Sequence, residues 1–283
     1  MATTAGAAPR LGTPERPVRI VVVGSSVGLY VRPPRADPLE GTYADLLGPM
    51  LHEHGICAVV TNRSRWLLMV TEAHRRFQEL VLDHRPDVVV LALGFVESQP
   101  RLAPLWSVRM LFTWRPRLSG FARRVRRAVL GPWWWAYVHL SPVLIRRMPW
   151  LPSRVRPTTF QRGIEAMTRL ARKERAALVL ALDVPEASDR VERTLATINR
   201  RIDETNGVLR ALASSPDGPD LVAVSEIVRA HGHDAALPDG IHLSALGHRE
   251  VATRLVDRIV GWHAAMEGRL TSPTSAGARP PSS

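Results

Sequence analysis

Residues 20–28 have the sequence IVVVGSSVG, and this stretch decides the fold. Four successive β-branched residues, from Ile20 to Val23, predict a strand that is buried on both faces. The strand then meets Gly24, two serines and Gly28, which predict a turn from the strand into a helix. A fully buried strand that ends in a small-residue turn is typical of a parallel sheet covered by helices.

The rest of the chain repeats this pattern, because short apolar runs alternate with segments of helical periodicity. The predicted strands are Arg19 to Val23, Ile56 to Thr61, Asp87 to Leu93, Ala177 to Leu182 and Leu221 to Val224. The predicted helices are Leu39 to His54, Trp66 to His84, Phe160 to Arg175, Val191 to Ala213 and Leu243 to Glu267. The fold class is therefore α/β.

Length and composition favour one soluble domain. The chain has 283 residues, with 45% hydrophobic and 23% charged residues, as in ordinary globular proteins. We expect residues 17–267 to form the domain and the polar stretches 1–16 and 268–283 to be disordered tails. The first residues contain no apolar run that resembles a secretory signal, so a cytoplasmic location is expected. The apolar stretch Ala128 to Ile145 is interrupted by two prolines and a histidine, and it does not predict a transmembrane helix.

The charge of the chain is concentrated in one segment. The formal net charge is +12, yet residues 101–162 alone contain thirteen arginines and no Asp or Glu, together with six of the eight tryptophans. Residues 100–157 also separate the third predicted strand from the next helix by far more than an ordinary connection. We interpret this segment as an inserted basic, Trp-rich helical cap.

Ser26 is the first candidate site residue, because it lies in the turn that follows the first strand. Ligands of open parallel sheets bind just beyond the carboxyl ends of the strands, so this hydroxyl is well placed to meet a substrate. The alternative is a turn whose serine only caps the next helix. A nucleotide site is not favoured, since the glycine fingerprint of dinucleotide-binding proteins is absent.

Asp239 and His242 lie three residues apart in the sequence PDGIHLSALGH. A serine hydroxyl needs a base to become a nucleophile, and imidazole is the usual base. A carboxylate can hold that imidazole in the required tautomer. Ser26, His242 and Asp239 therefore predict a catalytic triad, although an Asp that caps the last helix would also explain the pair.

Together these residues resemble the SGNH, or GDSL, hydrolase family, whose motifs are G-D-S after the first strand and D-x-x-H near the end. The resemblance runs from Ile20 to about Ile259 and includes TYADLL, RPDVVVLALG and TNGVLRAL. It implies a flavodoxin-like three-layer α/β/α sandwich with a five-stranded parallel sheet. It also implies that Ser26 is the nucleophile, His242 the base and Asp239 its orienting partner in a serine esterase that acts on a small acyl ester.

The motifs depart from the family pattern at the oxyanion hole. The family uses the amide of the serine, a glycine after the second strand, and the Asn of G-x-N-D. This chain has Gly94, Phe95, Val96 and Glu97 in place of G-x-N-D, and Ser25 in place of the Asp of G-D-S. Gln99 and a backbone N–H near Arg65 are the candidate replacements. The expected oxyanion-hole or substrate-binding residues are Ser26, Arg65, Gly94, Val96, Glu97 and Gln99. Three interpretations follow: a hydrolase with a rebuilt oxyanion hole, an acyltransferase, or a catalytically impaired relative that binds a partner.

The cap admits two interpretations. It is either a lid for an anionic or lipid-like ligand or a membrane surface, or a solvated basic helix whose tryptophans pack on the core. Nucleic acid is not an expected partner, because no recognised module is present. The HGHD sequence at 231–234 suggests a metal site only weakly, and we expect a solvated loop there, no metal and no cofactor. The single Cys57 lies in an apolar run and is expected to be a buried thiol.

Overall fold

The structure is a computed structural model of the chain. It describes residues 10–29, 31, 40–101, 131, 132, 135, 139, 140, 142–148, 150–175 and 178–271. Both predicted disordered tails fall partly outside these residues, as does most of the predicted cap.

The centre of the molecule is a five-stranded parallel sheet, as the sequence predicts. Its strands are β1 (Val18–Gly24), β2 (Ala58–Asn62), β3 (Val88–Ala92), β4 (Leu178–Leu182) and β5 (Asp220–Val222), and their spatial order is β2-β1-β3-β4-β5. The chain runs from β1 to the edge strand β2 and then returns to β3 on the other side of β1, so the direction of strand addition changes at β1. In such sheets this change leaves a crevice at the carboxyl ends of the central strands, where ligands bind.

The register of the central strands brings the turn after β1 next to the end of β3. Ile20 pairs with Val88, and Gly24 at the end of β1 pairs with Ala92 at the end of β3. A Cβ on Gly24 would lie 2.8 Å from both the Cβ and the carbonyl oxygen of Ala92. Glycine is therefore required here, because a larger residue would push the two strand ends apart.

Helices cover both faces of the sheet. The first half of the chain supplies α1 (Tyr43–Glu53), α2 (Val70–Arg75), α3 (Phe77–Leu80) and α4 (Phe95–Ser98). The second half supplies α5 (Pro157–Arg175), α6 (Asp189–Thr194), α7 (Ile198–Ala213), α8 (Val224–His231), α9 (His233–Ala236) and α10 (Ala245–Thr271).

Alternate residues of β1 pack against different helical layers. Ile20 and Val22 pack with α1, α8 and α10, whereas Val21 and Val23 pack with α2, α3, α5 and α7. All four valine and isoleucine side chains are buried, because each face of the strand has its own helical layer. The fold is a three-layer α/β/α sandwich, which confirms the predicted fold class.

Two predicted helices are broken in the structure. The predicted helix 66–84 consists of α2, α3 and a turn of 3-10 helix at Leu82–His84, and the predicted helix 191–213 consists of α6 and α7. Thr197, at the second break, has a left-handed φ of 71°. The carboxylate of Glu192 accepts the N–H groups of Thr197 at 2.8 Å and Asn199 at 3.0 Å, which gives α7 a new amino end.

The region after β5 also differs from the prediction. Val224 begins α8 instead of ending the last strand, and α9 follows immediately. The HGHD sequence at 231–234, expected as a solvated loop, therefore spans the end of α8 and the start of α9.

Residues 10–16 are folded on the domain, although they were assigned to the N-terminal tail. The N–H of Cys57 donates to the carbonyl of Gly12 at 2.8 Å, and the ring of His263 contacts the carbonyl of Leu11 at 2.9 Å. The side chain of Leu11 packs against the core. This segment therefore joins the loop before β2 to the last helix. Cys57 is only half-buried, not buried as expected.

The base of the predicted cap is attached close to α4. Pro100 bridges Ser153, and the N–H of Arg154 donates to the carbonyl of Gln99 at 2.7 Å. The two ends of the insertion therefore leave the domain side by side. Within the described part of the chain, no helix is long and apolar enough to cross a membrane.

Candidate active site

Ser26 begins a single turn of 3-10 helix, Ser26–Gly28, directly after β1. The N–H of Ser25 donates to the carbonyl of Ala92 at 3.2 Å, which fixes the start of the turn to the end of β3. Ser25 is buried, while Ser26 is partly exposed. The turn therefore presents the Ser26 hydroxyl at the carboxyl edge of the sheet, as the sequence predicts.

Asp239 and His242 lie in the loop between α9 and α10. Asp239 Oδ1 accepts the backbone N–H groups of Ile241 at 2.9 Å and His242 at 2.7 Å. Gly240 has a φ of 83°, a left-handed conformation that suits glycine. These bonds make a tight turn in which the carboxylate faces the imidazole.

The three predicted residues form a continuous hydrogen-bonded chain. His242 Nε2 lies 3.1 Å from Ser26 Oγ, and His242 Nδ1 lies 2.7 Å from Asp239 Oδ2. Ser26 and His242 are 216 positions apart in the sequence. The order is that of a Ser-His-Asp triad, in which the base contacts the nucleophile through one ring nitrogen and the acid through the other.

Asp239 is held in its charged form. Burial alone would raise the pKa of its carboxyl, but hydrogen bonds from the ring and N–H of His242 and from Ile241 outweigh burial, so the pKa lies below its usual value. The side chains of His242 and Asp239 are 15% and 18% exposed. The pair is thus shielded from bulk water but still open on one side.

Three residues that the sequence analysis did not assign to the site contact it. The ring of Trp66 meets the ring of His242 edge-on at 6.1 Å between centroids, and Trp66 is 43% exposed. Arg190 Nη2 donates to the carbonyl of Asp239 at 2.6 Å. Asn62 Nδ2 donates to the carbonyl of Gly28 at 2.7 Å, so the end of β2 supports the turn that carries Ser26. For Asn62 a sequence signal exists, since it lies at the carboxyl end of β2, the strand that neighbours β1.

The G-x-N-D region does not supply a side-chain donor. Val96 is buried against Leu67 and Met69. Glu97 is also buried, and its carboxylate accepts the N–H of Val70 at 2.6 Å and that of Gly94 at 2.9 Å. Burial raises the pKa of Glu97 to about 7, although these hydrogen bonds act in the opposite direction. Glu97 therefore caps α2 and the turn at Gly94 within the core.

The other candidates for the oxyanion hole have partners elsewhere. The N–H of Arg65 donates to the carbonyl of Gly24 at 2.9 Å, and its side chain lies 3.7 Å from Glu79. The N–H of Gln99 bonds to the carbonyl of Val96. Ser26 opens a helical turn, and the first N–H groups of a helix have no acceptor within it. Among the backbone N–H groups of Ser26, Arg65 and Gln99, that of Ser26 is the one that this geometry offers.

An apolar cavity adjoins the triad. Its lining includes Ser25 beside Ser26, Gly240 and Ile241 from the loop that carries Asp239 and His242, and Leu182 and Asp183 at the end of β4. Asp183 Oδ1 accepts the N–H of Ser225 at 2.9 Å, and burial raises the pKa of this carboxyl. Asp183 therefore joins β4 to the start of α8 beneath the site.

The histidines of HGHD have separate partners. His231 Nε2 lies 3.9 Å from Glu250, and His233 Nε2 lies 2.9 Å from the carbonyl of Glu186. In the described ranges, no group of three or more His, Cys, Asp or Glu side chains is arranged to hold a metal ion.

Solved structures of lipases and esterases share this fold. A lipase/acylhydrolase from Enterococcus faecalis aligns with a TM-score of 0.56 at 17% identity, over 87% of this chain and 96% of its own. A mutant of an acetyl-xylooligosaccharide esterase from Geobacillus stearothermophilus aligns with a TM-score of 0.54 at 14% identity, over 86% and 94%. For a GDSL-like lipase from Parabacteroides merdae the TM-score is 0.53 at 12% identity, over 86% and 95%.

No protein-family model and no curated protein sequence matches the chain. The structural matches cover nearly the whole of each lipase or esterase, so the likeness concerns the complete domain. At this level of identity it defines the fold, which is the α/β fold that these lipases and esterases share.

Proposed function

We propose that this chain is a serine esterase of the SGNH type. The observation that carries the proposal is the chain of contacts from Ser26 Oγ to His242 Nε2 at 3.1 Å and from His242 Nδ1 to Asp239 Oδ2 at 2.7 Å. A structural serine needs no imidazole at hydrogen-bond distance, and a structural histidine needs no buried carboxylate behind it. The two contacts together are what nucleophilic catalysis requires.

The reaction would follow the usual two stages. His242 Nε2 takes the proton of Ser26 as Oγ attacks the ester carbonyl, and Asp239 stabilises the imidazolium that forms. The tetrahedral intermediate collapses to an acyl-serine, and His242 returns the proton to the leaving alcohol. Water then attacks the acyl-serine through the same base, releasing the acid and restoring the Ser26 hydroxyl.

The substrate we propose is a small acyl ester of a sugar-like or secondary-metabolite alcohol. One structural neighbour is named as an esterase of acetylated xylo-oligosaccharides, which supports a short acyl group. The apolar cavity beside Ser25 and the exposed ring of Trp66 support a site with apolar walls. Chromogenic esters of increasing acyl length would test this choice, and a preference for acetate is expected.

A fluorophosphonate probe tests the nucleophile directly, because it reacts with activated serines. We expect the purified protein to be labelled and the Ser26→Ala variant not to be labelled. Ser25→Ala is the matched control, since this neighbouring serine is buried and should leave labelling intact. Absence of labelling in a folded wild-type protein would contradict the proposal.

A catalytically impaired binding protein is the second candidate. It is favoured by the oxyanion region, where the N–H groups of Gly94, Arg65 and Gln99 are bonded within the protein and Val96 is apolar. Loss of one oxyanion donor typically costs about 3 kcal/mol, or roughly 10²- to 10³-fold in rate. Slow labelling of Ser26 without ester turnover would favour this candidate. If the protein does turn over an ester, a new ester product that forms only when an alcohol is added would indicate an acyltransferase.

A further inference from the structure

The described part of the insertion exposes an apolar face. Residues 139, 140 and 142–147 are helical, and Leu140, Val143 and Leu144 are 50%, 49% and 45% exposed. Their spacing of three and four residues puts them on one side of a helix. Trp135 and Trp150, in the same segment, are 61% and 71% exposed. We call Leu140, Val143 and Leu144 the apolar face.

This face points away from the domain because the opposite side of the helix is fixed to it. Ile145 is fully buried, and Arg146 Nη2 donates to the carbonyl of Arg193 in α6 at 2.9 Å. Beyond the helix, the carbonyl of Leu151 accepts a hydrogen bond from Arg201 Nη2 at 2.5 Å. Among the described residues, the helix thus has an inner side that contacts the domain and an outer side that is exposed.

Positive charge accompanies the apolar face. Arg147, three residues after Leu144, is exposed, and residues 101–162 contain thirteen arginines without a single acidic residue. Exposed aromatic and aliphatic side chains beside arginines form the pattern that binds anionic membrane surfaces, where the apolar groups enter the boundary of the acyl chains and the arginines remain at the headgroups.

We propose that the apolar face docks on an anionic phospholipid surface, so that the protein works as a peripheral membrane protein. A second copy of the chain is a poorer occupant, because a twofold interface would bring the two arginine-rich segments together with no acid to neutralise them. The Ser26 site and this surface are separate, so an experiment can contradict the proposed esterase activity or the proposed membrane binding without affecting the other.

Vesicle flotation tests the proposal with the full-length protein. We expect binding to phosphatidylcholine vesicles that contain about 30% phosphatidylglycerol, little binding to pure phosphatidylcholine, and weaker binding in about 0.5 M salt. The double variant Val143→Gln and Leu144→Gln removes apolar contact but keeps good helix formers, and it should weaken binding by about tenfold or more. Arg147→Gln should weaken it by about fivefold.

Two controls lie far from the insertion in sequence. Val59→Gln changes an apolar side chain of the edge strand β2 that is 53% exposed, and Arg229→Gln changes an exposed arginine in α8. Both should bind as the wild type does, and the far-UV circular dichroism of each variant reports whether its domain is folded. Equal binding to both kinds of vesicle, or undiminished binding by the double variant, would overturn the proposal. So would a wild-type dimer that the double variant converts to monomer, because a second copy would then cover the face.

Discussion

At the scale of single residues, Asp239 has two tasks that depend on different oxygens. Oδ1 holds the backbone of the triad loop through the N–H groups of Ile241 and His242, and Oδ2 holds the ring of His242. The same side chain therefore shapes the loop and fixes the tautomer of the His242 ring. A carboxylate does both because each of its oxygens is an acceptor.

The variant Asp239→Asn separates these tasks. The amide oxygen can still accept both backbone N–H groups, but the amide nitrogen would donate to His242 Nδ1 and force the ring proton onto Nε2, where no proton can be taken from Ser26. We expect stability close to wild type and a fall in kcat of about 10² to 10⁴. Hydrolysis of p-nitrophenyl acetate measures this fall.

Asp234→Asn, an exposed neighbour in α9, is the control and should retain wild-type kcat. If Asp239→Asn hydrolysed the ester as fast as this control, Asp239 would have only a structural role.

The sequence predicts these three residues because their chemistry depends on residue type. It does not predict their neighbours equally well. Glu97 was a candidate for substrate binding because of its place in the motif, yet it is buried and caps α2. Trp66 lies beside His242, although nothing in its local sequence marks it. Both positions depend on contacts between segments distant in the chain, which local patterns do not contain.

At the scale of elements, the turn that carries Ser26 is supported from two sides. Asn62 Nδ2 holds the carbonyl of Gly28, and Asn62 Oδ1 accepts the N–H of Ser64 at 3.0 Å. A Cβ on Gly28 would clash with Ser64 Oγ and lie 3.0 Å from Tyr43 Oη. The turn therefore has no room to accept a side chain at Gly28 without moving Ser26.

We expect Gly28→Ala to lower kcat/KM by about 10²-fold, since a displacement of about 1 Å in a catalytic group has effects of that size. Adding Ser64→Ala should recover part of the loss by removing the clashing hydroxyl. Gly48→Ala, in α1, is the matched control because nothing lies within 4 Å of its Cβ position. The measurement is kcat/KM for ester hydrolysis by the wild type, Gly28→Ala, Gly28→Ala with Ser64→Ala, and Gly48→Ala. Equal losses in Gly28→Ala and in the double variant would contradict this packing argument.

The differences between the predicted and the observed helix ends also depend on contacts between different segments of the chain. The strands were predicted to within about two residues because buried β-branched runs are a local signal. The sequence does not predict the break at Thr197 or the start of α2 at Val70, because the groups that cap these amino ends are side chains outside the helices they cap. Glu192 caps α7 from α6, and Glu97 caps α2 from α4.

At the scale of the whole molecule, two buried titratable groups act on stability in opposite senses. Glu97 lies beside α2, in one helical layer, and burial raises its pKa from 4.5 to about 7. His248 lies between α1 and α10 in the other layer, where its Nδ1 accepts the N–H of Tyr43 at 3.1 Å. Burial lowers the pKa of His248 from 6.5 to about 4.

The signs follow from which state binds more protons. Between about pH 4.5 and 7 the folded state keeps a proton on Glu97 that the unfolded state loses, so stability falls as pH rises. Between about pH 4 and 6.5 the unfolded state binds a proton on His248 that the folded state does not, so stability rises with pH. At about 1.4 kcal/mol per pKa unit, each effect amounts to roughly 3 kcal/mol, and the two largely cancel from about pH 4.5 to 6.5.

Urea unfolding at several pH values tests this cancellation. The wild type should be nearly flat from about pH 4.5 to 6.5, with a small fall contributed by Asp183, whose pKa is also raised by burial. His248→Asn keeps an acceptor for Tyr43 and should lose roughly 3 kcal/mol from about pH 4.5 to 7, because Glu97 then acts alone. Glu97→Gln should gain a similar amount from about pH 4 to 6.5. If the free energy of unfolding of both variants is independent of pH, neither group stays uncharged in the folded protein. Opposite slopes would show that Glu97 in one helical layer and His248 in the other each control the pH dependence of stability.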